Sequence, residues 1–81
     1  MYLPTGAQLR AARALLRLEK EKLAEKSGIS STTIRKLEAV DGPPDARIST
    51  LRVLQDVLSK GGVEFRPNGS VRLREPTTPS L

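Results

Sequence analysis

Between Lys20 and Glu38 the chain reads KEKLAEKSGISSTTIRKLE, and this stretch leaves few options for the fold. Leu23 and Ala24 mark the inward side of one short helical pattern, and Ile34 and Leu37 that of a second. Gly28 between them suits the left-handed backbone that stops a helix tightly, and Ser30 is a strong cap for the helix that follows. Small Ala24 allows the two helices to approach closely. The second pattern opens on Ser30, Ser31, Thr32 and Thr33, mediocre helix formers, and these are followed at once by Arg35 and Lys36. A helix that starts on short hydroxyls and turns basic one turn later has an exposed face suited to close contact with another molecule.

The remaining elements follow from local signals. Thr5-Gly6-Ala7-Gln8 has the form of a capping box, and Leu9, Ala11, Ala12, Leu15 and Leu16 recur at helical spacing behind it. They predict helix 1 over Gly6–Arg17. Glu19 is placed to cap helix 2, Lys20–Lys26. After helix 3, which ends at Glu38, AVDGPPDAR forbids regular structure and predicts an exposed loop. Ser49 is placed to cap helix 4, with Ile48 stapling against Val53, and Leu51, Leu54, Val57 and Leu58 form its apolar stripe. Lys60-Gly61-Gly62 ends it. VEFRPNGSVRLR then predicts a β-hairpin. A two-residue Asn68-Gly69 turn would pair Phe65 with Arg72. A three-residue loop, Pro67-Asn68-Gly69, pairs Phe65 with Val71, Glu64 with Arg72 and Val63 with Leu73, keeps one face apolar, and is preferred. The tail EPTTPSL, residues 75–81, has nothing to bury and is expected to be disordered.

Composition narrows the function classes. At 81 residues, with no Trp, one Tyr and one Phe, the chain has material for one small domain with an aliphatic core. The absence of Cys excludes disulfides and thiolate metal sites. The absence of His removes the commonest general base and metal ligand, so neither an enzyme nor a metal or cofactor site is expected. A net charge of +5 and a pI near 10.3 point to an anionic partner. No apolar run is long enough for a transmembrane span, and no membrane association is expected. Residues 1–18 carry Arg10, Arg13 and Arg17 and no acid, as transit peptides do, but helix 1 is needed for the core. Arg10 and Arg17, flanking helix 1, read as solvated.

The two-helix unit, with its inward residues, turn glycine and caps, resembles the lambda-repressor-like, Cro-type (XRE) family of DNA-binding domains. LAEKSGISSTTIRKLE carries the resemblance, which extends over roughly residues 5 to 60. It implies a mainly α, four-helix domain over residues 1–60, with a helix-turn-helix at about 20–38 and a C-terminal β-hairpin at 61–74. It implies a structural ion pair between Arg13 and Glu38 that orients the third helix. Ser31, Thr32 and Lys36 match base-reading positions of the family, and Arg35 faces the same groove. Lys20 and Ser30 match backbone-contacting positions, and Arg47, in the loop after helix 3, is a further phosphate candidate. The family often has Gln where Lys20 stands and large amides at the start of the recognition helix, and this chain departs from it at both.

Phe65, Val71 and Leu73 are large apolar residues on a two-stranded hairpin, which needs something to pack on. Some members of the family dimerise through C-terminal strands, which implies a homodimer built partly from these residues; packing on helix 4 of the same chain is the alternative. The function implied is a sequence-specific, double-stranded DNA-binding transcriptional regulator. It would be a small repressor or autoregulatory switch on a palindromic operator, cytoplasmic and nucleoid-associated, with no small-molecule ligand. A rival from another class is an antitoxin or anti-activator that uses the same scaffold to bind a protein. Its mark would be an apolar exposed face on helix 3, where this chain is polar and basic.

Overall fold

The computed structural model describes residues 3–74. Four helices, α1 (Gly6–Leu16), α2 (Lys20–Ser27), α3 (Ser31–Glu38) and α4 (Ile48–Lys60), precede two strands, β1 (Val63–Phe65) and β2 (Val71–Leu73), paired antiparallel. No helix is long and apolar enough to cross a membrane among the described residues. The predicted tail at 75–81 lies outside the described residues.

The start of α1 is a complete capping box. The Thr5 hydroxyl accepts from the Gln8 backbone N–H at 3.1 Å, and Gln8 Oε1 accepts from the Thr5 N–H at 3.0 Å. Leu9 and Ala12 are buried and Leu16 packs against the core, whereas Leu15 faces outward. The helix ends one residue before the expected boundary, because Arg17 is left-handed, with φ +52°. Glu19 precedes α2 in extended conformation, but its carboxylate makes no capping bond, contrary to the expectation. Its chain is one methylene longer than the Asp that caps well. α2 runs on to Ser27, whose hydroxyl accepts from the Ile29 N–H at 3.1 Å and closes the turn around Gly28, at φ +75°.

Ser30 caps α3, accepting from the Thr33 N–H at 3.2 Å, and Ile34 and Leu37 are buried. The start of α4 differs from expectation. Arg47, not Ser49, is the cap residue, and Ile48 opens the helix with 59% of its surface exposed. The Ile48–Val53 staple therefore does not form: Val53 is exposed as well. Shifting the frame by two residues puts Ala46 just before the cap and Leu51 on the fourth helical position. Both pack into the core, which serves burial better than a side-chain cap on an exposed helix end.

The hairpin has the three-residue register, Val63 with Leu73, Glu64 with Arg72 and Phe65 with Val71. The Gly69 N–H donates to the Arg66 carbonyl at 3.1 Å, Gly69 sits at φ +92°, and Asn68 Oδ1 accepts from the Ser70 N–H at 3.0 Å. The two strands lie on α1 and α4 of their own chain. Val63 is fully buried, and Phe65 and Val71 pack against the cluster of Leu9, Leu23, Ile34, Leu54 and Leu58. Leu73 alone of the three candidate interface residues stays largely outside, 47% exposed.

Candidate nucleic-acid interface

Helix α3 turns its apolar side wholly inward, so its other side is free. Ile34, Leu37 and the side chain of Glu38 are buried, while Thr32, Arg35 and Lys36 are exposed and Ser31 and Thr33 lie half-buried on the flanks. This follows from 100° per residue, which separates 34, 37 and 38 from 32, 35 and 36. The first turn is built of short side chains, so backbone and helix N-terminus stand close to the surface. The Ser30 hydroxyl has two local partners there. It accepts from the Thr33 N–H and donates to Thr33 Oγ1 at 2.9 Å, so a bond from Ser30 to a phosphate must displace Thr33.

The cations separate into two groups. Arg10, Arg13, Lys22, Lys60, Arg66 and Arg72 have carboxylate partners within the chain. Lys20, Arg35, Lys36 and Arg47 form no ion pair among the described residues, and neither do Arg17, Lys26, Arg52 and Arg74. Arg35 and Lys36 leave the exposed side of α3, Lys20 is the first residue of α2, and Arg47 is the exposed cap of α4. Arg35 and Lys36 also sit in the last turn of α3, where cations complement the helix dipole and need no carboxylate. Two shallow surface hollows of about 500 Å³ lie elsewhere, one on the outer side of α4 and one between Leu16, Leu18 and Val57. Neither is lined by α3.

Behind this face stands α1. Glu38, 4% exposed, receives two bonds from Arg13: Nε to Oε2 at 2.8 Å and Nη2 to Oε1 at 2.7 Å. Arg13 Nη1 also donates to the Leu18 carbonyl at 3.0 Å. The bonds to Glu38 hold the Arg13 guanidinium above its ordinary pKa although burial works against the charge. One turn earlier, Arg10 reaches the end of the same helix. Its Nη1 donates to the Glu38 and Val40 carbonyls, and its Nη2 pairs with Asp41 at 2.5 Å.

Arg10 is thus not a solvated flank residue, and the sequence held a sign of it: a residue three before Arg13 lies on the same side of the helix. Two further residues do more than was legible. Gly6 is pressed against the loop after α3, where an added Cβ would lie 2.5 Å from the Leu37 carbonyl oxygen and closer still to that of Val40. Gln8 not only completes the capping box. Its Nε2 donates to the Arg66 and Ser70 carbonyls at 2.8 and 3.1 Å, which ties the hairpin loop to α1. Neither partner was visible from the short-range motif.

No protein-family model matches this chain, and no curated protein matches it. The functional assignment therefore rests on its own residues.

Proposed function

We propose that the chain is a sequence-specific, double-stranded DNA-binding transcriptional regulator in which α2 and α3 form a helix-turn-helix. The observation that carries this is the sorting of charge. The cations expected at DNA, Lys20, Arg35, Lys36 and Arg47, are all among those left without carboxylates, while Arg10 and Arg13 on α1 and Arg66 and Arg72 on the hairpin are engaged. Lys20, Ser30 and Arg47 would contact phosphate, and Ser31, Thr32, Arg35 and Lys36 would face the base edges of the major groove. Short hydroxyls let the α3 backbone come close, and the long cations one turn later reach guanine O6 and N7.

The protein would act as a homodimer on a palindromic operator, its two α3 helices about 34 Å apart, one helical turn of DNA. Phe65 and Val71 already pack within the chain, so Leu73 and the outer edge of β2 are the parts of the hairpin left for a second copy. A small repressor or autoregulatory switch fits this build.

The test is selection from a random-sequence duplex pool, followed by gel-shift competition against unrelated DNA at two salt concentrations. The proposal expects an enriched inverted repeat, preferred at least 10³-fold over unrelated DNA. An unenriched pool, or a stoichiometric protein partner captured with no DNA shift, would sink it in favour of a protein-binding module.

A further inference from the structure

The first turn and a half of α1 meets a run of carbonyls at the end of α3 and the start of its following loop. A helix ends with carbonyls that have no partner inside the helix. Here the Glu38 and Val40 carbonyls accept from the Arg10 guanidinium, the Asp41 carbonyl from the Ala7 N–H at 3.3 Å, and the Gly42 carbonyl from the Gly6 N–H at 2.9 Å. The Leu37 carbonyl faces Gly6, where no side chain intervenes. α1 has no acidic residue in its own first turn. The negative end of α3 lies there instead, so two helix dipoles meet head to tail.

From this we infer that Arg10 is a positioning residue for the α3 face: it fixes the angle at which α3 is presented, and with it the selectivity among DNA sequences. The inference rests on the DNA-binding proposal above. Arg13 holds Glu38 from the side and limits rotation of α3 about its axis. Arg10 holds the end of the helix and limits its swing. A planar fork suits this, because its donors point at two carbonyls and one carboxylate together. The Asp41 carboxylate is a minor partner, since it is 87% exposed and such pairs contribute little. What matters is the grip on the backbone.

The experiment uses the full chain, the duplex that wild type selects from a random pool, and an unrelated duplex of equal length. Arg10→Met keeps the aliphatic stem and removes every donor. It is expected to bind the unrelated duplex within about twofold of wild type while its preference for the selected duplex falls about tenfold. Arg10→Lys, the milder change, should lose less, and Asp41→Asn should lose nothing. In the free protein, amide hydrogen exchange should report the same event. The Gly6 and Ala7 amides lose protection in Arg10→Met while those of Leu54 and Leu58 keep theirs. Unchanged preference overturns the inference, and so does protection lost equally in α4, since Arg10 would then serve stability alone. A wild-type chain that selects no duplex removes the DNA-binding proposal and this inference with it. Selective wild type beside an equally selective Arg10→Met removes the inference alone.

Discussion

Gln8 has no exposed surface to speak of, yet every polar atom of its side chain is used. Its oxygen closes the capping box of α1 and its nitrogen holds two hairpin carbonyls. Gln8→Glu preserves the shape and the capping oxygen but sets a carboxylate oxygen against the Arg66 and Ser70 carbonyls. A loss of about 3 kcal/mol in urea unfolding at neutral pH is expected. The deficit shrinks as pH falls through the raised pKa of the buried carboxyl toward the ordinary glutamate value of about 4.3, because the carboxyl then takes up a proton and can donate again. A pH-independent deficit would mean that packing, not the donor, is what Gln8 supplies. Arg17 presents the opposite case. It holds a left-handed backbone that glycine adopts without strain, and its side chain is exposed. Arg17→Gly is therefore expected to raise stability by about 0.5–1 kcal/mol in thermal unfolding, and a fall instead would show that the side chain has a structural partner.

Gly6 connects residue and element. Alanine is ordinarily the better helix former by about 1 kcal/mol, so Gly6→Ala on an unhindered helix would stabilise. Here the added methyl meets backbone oxygens of Leu37 and Val40, which cannot rotate away. The start of α1 must then separate from the end of α3, breaking the Gly6–Gly42 and Ala7–Asp41 bonds. A net loss of about 2–4 kcal/mol by chemical denaturation is expected, and a neutral outcome would mean that this contact yields easily. Among the elements, α3 and the hairpin were the most legible. Ser30, Gly28, Ile34 and Leu37 act within one or two turns of one another, and the pairing of Val63 with Leu73 follows from keeping one face apolar. The start of α4 was less so. Ser49 has the right chemistry for a cap, but burial of Ala46 and Leu51 set the frame, and tertiary packing outweighed a cap of about 1 kcal/mol.

For the molecule as a whole, the consequence is a division of surfaces. α1, α4 and the hairpin hold one another, and α3 presents its polar side outward. If DNA lies on that side, phosphate and base contacts should separate experimentally. Lys20→Ala is expected to weaken binding to selected and unrelated duplexes alike and to reduce the salt slope by about one per chain. Lys36→Ala should spare unrelated DNA and relax preference at particular base pairs. Equal losses on both duplexes from both variants would argue that α3 lies along the backbone and not in the groove. Sedimentation of the protein with its selected duplex should show two chains per palindrome, and one chain per duplex would remove the dimer.

Sequence alone determined the order of the elements, the polar outer side of α3, the turn at Gly28 and the register of the hairpin. Each depends on periodicity or on hydrogen bonds spanning three or four residues, and neighbours in the chain decide both. The pairing of Arg13 with Glu38, 25 residues away, was expected from the resemblance, but what became of Arg10 and Gln8 was decided only by the tertiary structure. Arg10 finds the Glu38 carbonyl at a separation of 28 residues, and Gln8 finds Ser70 at 62. A capping box, an arginine and a glycine look the same in sequence whether they face water or another element. Burial forces each to find a partner, and packing determines which atoms stand opposite.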